Sequence, residues 1–310
     1  MAKKQQGEGA LSFKKSLRRN WDLYLLILPI LVFFFVFSYM PMYGIVIAFK
    51  DYIAAKGIWG SPWVGFAHFQ RFFESIYFER TIKNTLGISL YSLIVGFPMP
   101  ILLALMINEV HHLPFKRTVQ TVTYAPYFIS QVVMCGMIII FIRPDAGFIN
   151  MLLKAMGQEQ IAFIIEPAWF KTIYVWSGVW QNTGWGTIIY IAALSGLDQQ
   201  MYEAAQIDGA NKIQKIWHIT LPCLMPTAIL LLIMNCGSLM SVGFEKVFLL
   251  QTPLNMEASD VISTYTYRAG MIDANYSYSA AIGLFNSVIN FVILFIVNQI
   301  SKRVSSISLF

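Results

Sequence analysis

The chain has 310 residues, 57% of them hydrophobic and only 12% charged, and its 22 Lys and Arg outnumber 16 Asp and Glu to give a net charge of +6. A charged fraction about half the roughly 25% of ordinary soluble domains excludes a water-soluble globular fold. The basic residues flank apolar stretches instead of forming one stripe with stacking aromatics, which excludes a nucleic-acid binder.

In chain order, a basic tail over residues 1–20 carries Lys3, Lys4, Lys14, Lys15, Arg18 and Arg19 and reads as a disordered arm. Apolar segments follow at about Leu23 to Phe49, Leu86 to Ile107, Gln120 to Ile142, Thr172 to Leu194, Met225 to Gly243 and Ala280 to Ile300. Each is long enough to cross a hydrocarbon core roughly 30 Å thick. The first exceeds the h-region of a signal peptide and is expected to remain as an anchor. Residues 21–310 therefore read as one all-α domain, a polytopic membrane bundle of about six transmembrane helices. Kinks are expected at Pro29, Pro41, Pro98 and Pro100, where neighbouring helices can satisfy the freed carbonyls.

Six spans put both termini on one side. Basic residues outnumber acidic ones twelve to six on that side and equal them at ten on the other. By the positive-inside rule both termini of this multi-pass membrane protein are expected on the cytoplasmic side. Trp21, Trp59, Trp63, Trp169, Tyr39, Tyr43, Tyr77, Tyr124 and Tyr127 fall near span ends, where amphipathic rings favour the headgroup level. Cys135, Cys223 and Cys236 lie in or beside apolar spans with no CxxC pair, and read as packing residues. His68, His111, His112 and His218 are scattered over loops with no HExxH, so neither a metal centre nor an enzyme is expected.

The connection after the fourth span, Asp198 to Pro222, is the most informative stretch. Asp198 can cap a short helix, Gly209 can end it in the left-handed conformation, and Pro222 marks the start of the next span. Ile213, Ile216, Trp217 and Thr220 recur at intervals of three and four as an apolar stripe. Glu203-Ala204-Ala205, Asp208-Gly209-Ala210 and Ile219-Thr220-Leu221-Pro222 resemble the EAA motif of binding-protein-dependent ABC importer permeases. The nine residues between Gly209 and Ile219 match the family spacing; Ile216 stands where the family usually has Phe.

The segments Trp180 to Gly186, Val242 to Val247, Asp260 to Arg268 and Ala281 to Ser287 extend the likeness to the oligosaccharide and polysaccharide branch. The resemblance implies the type I ABC importer permease fold. It further implies a second permease subunit, as a heterodimer, two ABC ATPase subunits, an extracytoplasmic solute-binding protein and an oligosaccharide substrate. Tyr202, Glu203, Ala204, Ala205, Asp208, Gly209 and Ala210 would contact the ATPase. No GxxxxGK[ST] segment occurs, so ATP and Mg belong to the partner and this chain binds no cofactor.

Polar side chains inside spans are costly and are functional candidates. Asn182, Asn235, Asn286 and Asn290, with Trp176, Trp180, Trp185 and Tyr190 near Asn182, offer the amides and aromatic faces that suit a sugar path, and Glu245 follows the fifth span. Interhelical hydrogen bonding is the plainer role for the amides. The alternative function, a secondary transporter or channel driven by an ion gradient, requires acidic or histidine residues at mid-span, and the span centres have none.

Overall fold

The computed structural model describes residues 19–305 and 307–309, so most of the basic arm lies outside the described residues. All regular elements among the described residues are helical, apart from one bridge between Lys50 and Trp63. Helix α1 (Trp21–Phe49) widens to a π turn at Phe35–Tyr39, directly ahead of Pro41. A proline ring crowds the carbonyl four residues back, and the wider turn accommodates it. The apolar window of α1 is 0% buried, and only its last turns, Tyr43–Phe49, pack on the rest of the chain.

A short helix α2 (Ala67–Phe73) precedes the long α3 (Ile76–Asn108), which Ser75 caps by accepting from the Tyr77 amide. Within α3 the helix restarts at Pro98, where a missing N–H leaves no bond unmade. The expected single span from Gln120 to Ile142 is instead two helices, α4 (Leu113–Phe128) and α5 (Gln131–Ile142), bent by 99°. Pro126 ends regular α-helix in a 3-10 turn, and Ser130 opens α5 by accepting from the Val133 amide. A small helix α6 (Phe148–Ala155) is tied down by Asn150, whose Nδ2 donates to the carbonyls of Ile142, Arg143 and Ile161.

Helix α7 (Pro167–Ser195) has 29 residues, enough to span about 43 Å at 1.5 Å per residue. It runs against α3, α4 and, farther on, the fifth apolar span. The expected loop follows as α8 (Gln199–Ile207) and then α9 (Lys212–Cys236). Two boundaries of that fifth span are corrected here. Pro222 is not its start, because a π turn at Ile216–Thr220 carries the helix through the proline as in α1. Nor does the span reach Gly243: a Cβ at position 237 would lie 2.8 Å from Leu294 Cδ1, and the Met240 amide donates to Asn290 Oδ1 at 2.9 Å. Close contact with the last helix has displaced helical hydrogen bonding in residues 237–243.

The short helices α10 (Phe244–Leu250) and α11 (Ile262–Tyr267) lead to α12 (Tyr276–Ser305). Among the described residues four helices, α1, α3, α9 and α12, are long and apolar enough to cross a membrane, or five spans if the bent pair α4 and α5 counts as one. The remaining expected span, α7, is long enough but interrupted by Gln181, Asn182, Thr183 and Thr187. Phe72, Ile262, Tyr265, Tyr278 and Ile282 form one core near the start of α3, with a second around Ile88, Phe170, Val247 and Leu250. Ala104, Tyr190, Leu194, Leu224 and Ala228 close the other end, beside the 198–222 loop.

Candidate functional site

Two features stand out, an exposed helical elbow and a cavity between the long helices. The elbow is built by local rules. Asp198 accepts the Gln200 amide at 2.9 Å, and α8 ends with Gly209 at φ 77°. The Gly209 amide donates to Gln206 O and the Ala210 amide to Ala205 O, the paired bonds of a Schellman cap. Asn211 and Gln214 then open α9 with a reciprocal capping box. Two side-chain bonds tie α8 to α9, one of 2.9 Å between Tyr202 Oη and Thr220 Oγ1 and one of 3.4 Å from Lys215 Nζ to Gln206 Oε1.

Apart from those bonds the elbow is bare. Glu203, Ala204, Asp208 and Gly209 are exposed, and Ala205 and Ala210 half-buried. Ile207, at 87% exposure, and Ile213 and Trp217 are left uncovered by the chain itself. An apolar edge of this kind in an otherwise capped turn is a surface suited to another molecule.

The cavity, of about 690 Å³, lies between α3, α7, the end of α9 and the start of α10. That volume falls within the roughly 300–1,000 Å³ of small-molecule sites. Ser89, Ser92, Asn182, Thr183, Asn235 and Ser241 give it hydroxyls and amides, set among Leu93, Phe97, Tyr174 and Tyr190. Asn182 and Asn235 each donate to the carbonyl four residues back, Gly178 O and Leu231 O, both at 2.8 Å. Those bonds use the amide N–H side and leave each Oδ1 available. Gln131 Nε2 donates to Gln181 Oε1 at 3.2 Å, and Gln181 Nε2 donates to Ile129 O at 2.9 Å, pinning the bend between α4 and α5 to α7.

Of the path residues named from the sequence, Asn182, Tyr190, Asn235 and Glu245 line this cavity. Trp176, Trp180 and Trp185 stand elsewhere on α7. Positions 180 and 182 are about 200° apart around a helix of 3.6 residues per turn, so one face cannot hold both. Trp176 Nε1 donates to Tyr91 Oη at 3.0 Å, and Trp185 stacks on Tyr127 with ring centroids 4.3 Å apart. Asn290 holds the 237–243 turn through Met240 and Ser241, and Asn286 also lies outside the lining.

Sequence reasoning passed over Lys246. It is only 6% exposed, its Nζ donates to Tyr174 O at 2.7 Å, and it lies 4.6 Å from the centre of the Tyr174 ring. The available signal was its position on the apolar face of α10, beside Val247 and one turn before Leu250. Gly178 makes the fit possible, because a Cβ there would stand 3.2 Å from the amine. No group of three or more His, Cys, Asp or Glu able to hold a metal occurs among the described residues.

Residues 96–306, most of the bundle and the whole elbow, match the family described as "Binding-protein-dependent transport system inner membrane component". The chain belongs to that family. It is a multi-pass membrane permease component of such an ABC transport system and not an enzyme. It is 42% identical to the protein LplB of Bacillus subtilis (strain 168), over 98% of this chain and 95% of that one. It is 41% identical to the polygalacturonan/rhamnogalacturonan transport system permease protein YteP of the same organism, over 95% of this chain and 94% of that one. The fold matches, with TM-score 0.88 and 42% identity over 96% of this chain and 100% of the other, a chain of a bacterial alginate ABC transporter solved with its alginate pentasaccharide-bound periplasmic protein.

Proposed function

We propose that this permease pairs with a second permease chain to import an oligosaccharide, delivered by an extracytoplasmic binding protein and driven by two ABC ATPase subunits that carry ATP and Mg. Both termini and the 198–222 loop are cytoplasmic in this reading, which the charge balance of the loops supports. The ATPase seats against α8 through Glu203, Ala204, Ala205, Asp208 and Gly209, with Tyr202 and Ala210 at its edges. Sugar passes through the cavity, where Asn182, Asn235 and Ser92 offer hydrogen bonds and Tyr174 and Tyr190 offer ring faces. The exposed α1 is covered by lipid and by the second permease.

The observation that carries the reading is the capped, uncovered elbow at Gly209, rigidly joined to α9 and hence to the wall of the cavity. Movement of the elbow by an ATPase tilts α9, and two arrangements of the bundle then exchange with the nucleotide state. Gly209→Pro tests this. The variant should insert into the membrane normally but lose ATPase assembly or ATP-driven uptake in reconstituted vesicles. Wild-type uptake by that variant would sink the lever.

A further inference from the structure

The cavity lining runs along α7 from Tyr190 to Tyr174, and three amines stand in sequence toward that end of the helix, remote from the elbow. Lys83 and Gly87 are one turn apart on α3. Lys171 of α7 reaches across to them, with its Nζ 2.8 Å from where a Cβ on Gly87 would be. Gly87 thus places the Lys171 amine on the stretch of α3 that also carries Lys83. Two turns farther along the same face of α7 is Gly178, against which the Lys246 amine rests. Seven residues return a helix to nearly the same face, about 10 Å further on. That face continues into Asn182 and Gly186 of the cavity lining.

None of these amines has a carboxylate within ion-pair distance: the described ion pairs are Arg80 and Arg268 with Asp260. Glu79 and Glu245 lie nearby in sequence and pair with neither Lys83 nor Lys246. Lys171 is half-buried and can reach lipid headgroups, but Lys246 is enclosed and cannot. Its ammonium has three donors and uses one on Tyr174 O. A buried, unneutralised amine is costly unless something supplies the missing charge. A structural amine would be expected to come with a carboxylate, as Arg80 and Arg268 do.

We propose that Lys83, Lys171 and Lys246 form a cationic seam that receives the carboxylates of an anionic sugar chain, making the cavity selective for uronate-bearing oligosaccharides. This rests on the oligosaccharide reading above and deepens it. The outer pair collects the chain by long-range attraction, and Lys246 reads one carboxylate at close range, where a charge-assisted hydrogen bond is strongest.

The test uses the full complex with its binding protein in zwitterionic vesicles, offered a linear uronic acid trimer and the same trimer with its carboxyl groups reduced. Lys171→Met and Lys246→Met should each lower uptake of the uronate trimer at least tenfold relative to the wild type. Lys171→Arg should restore most of it, and added salt should weaken wild-type uptake more than that of the Met variants. Should Lys246→Met fail to assemble, Lys171→Met decides alone. Uptake of the uronate unchanged by Lys171→Met, or wild-type uptake of the reduced trimer in preference to the uronate, overturns the seam and leaves an oligosaccharide importer standing. If the wild type imports neither trimer, the oligosaccharide reading falls with it.

Discussion

The two ends of the bundle are held by opposite means. At the elbow, α8 and the start of α9 are shaped mainly by contacts between residues two to five apart, from the Asp198 cap to the Asn211–Gln214 box, with Tyr202–Thr220 the longest tie, and the surface is left bare. At the other end Asp260, 0% exposed, is gripped by Arg80 at 3.0 Å and Arg268 at 2.8 Å, with Thr264 Oγ1 donating to its second oxygen. Asn84 donates to the Asp260 and Glu257 carbonyls, and the Ile262 amide donates to Thr85 Oγ1, bonds that close about 175 residues of chain. A surface that must receive a partner can be shaped locally. A cap that must keep α3 and α11 together needs long-range bonds, and their ionic members are sheltered enough to matter.

The comparison can be broken at either end. Asp260→Ala should have the largest effect, because it strands two guanidinium groups; removal of one member of a buried pair costs about 3–5 kcal/mol. The purified protein should show a sharply lower thermal unfolding midpoint, and an unchanged midpoint would remove the ionic cap from the account. Asp198→Ala should cost about 1 kcal/mol, the usual loss of an N-cap. It should raise proteolytic nicking near residues 198–210 without lowering the stability of the far end. Smallest in stability is Glu203→Lys on the exposed face of α8, expected within about 0.5 kcal/mol of the wild type. It should still impair coupling, measured as ATP hydrolysed per sugar imported. Equal coupling in that variant would mean that the ATPase docks elsewhere.

Legibility followed the same division. The Asp198 cap and the left-handed Gly209 follow from residue types with strong local preferences, and the apolar segments announce themselves by length. The ends of the fifth span were misread, because Pro222 is a reliable stop only where no π turn absorbs it and the halt at Cys236 depends on Leu294 far along the chain. The bend at residues 125–130 was missed for a related reason: Pro126 and Ser130 sit within an apolar run, and hydropathy averages over them. On α7, aromatics and amides close in sequence suggested one patch, but the 100° step per residue separates Trp180 from Asn182.

The sequence by itself determined that this chain crosses a membrane several times, that it lacks a phosphate-binding loop, and that Asp198 to Pro222 folds as two helices about a Gly209 elbow. These follow from solvation and from interactions within a few residues. Only the tertiary structure decided which face of α7 lines the cavity, that α4 and α5 meet at 99°, and that Lys246 is buried against Gly178 and Tyr174 without a carboxylate. Those facts depend on which helices pack together. A lysine reads the same in sequence whether its amine reaches water or is closed between two helices.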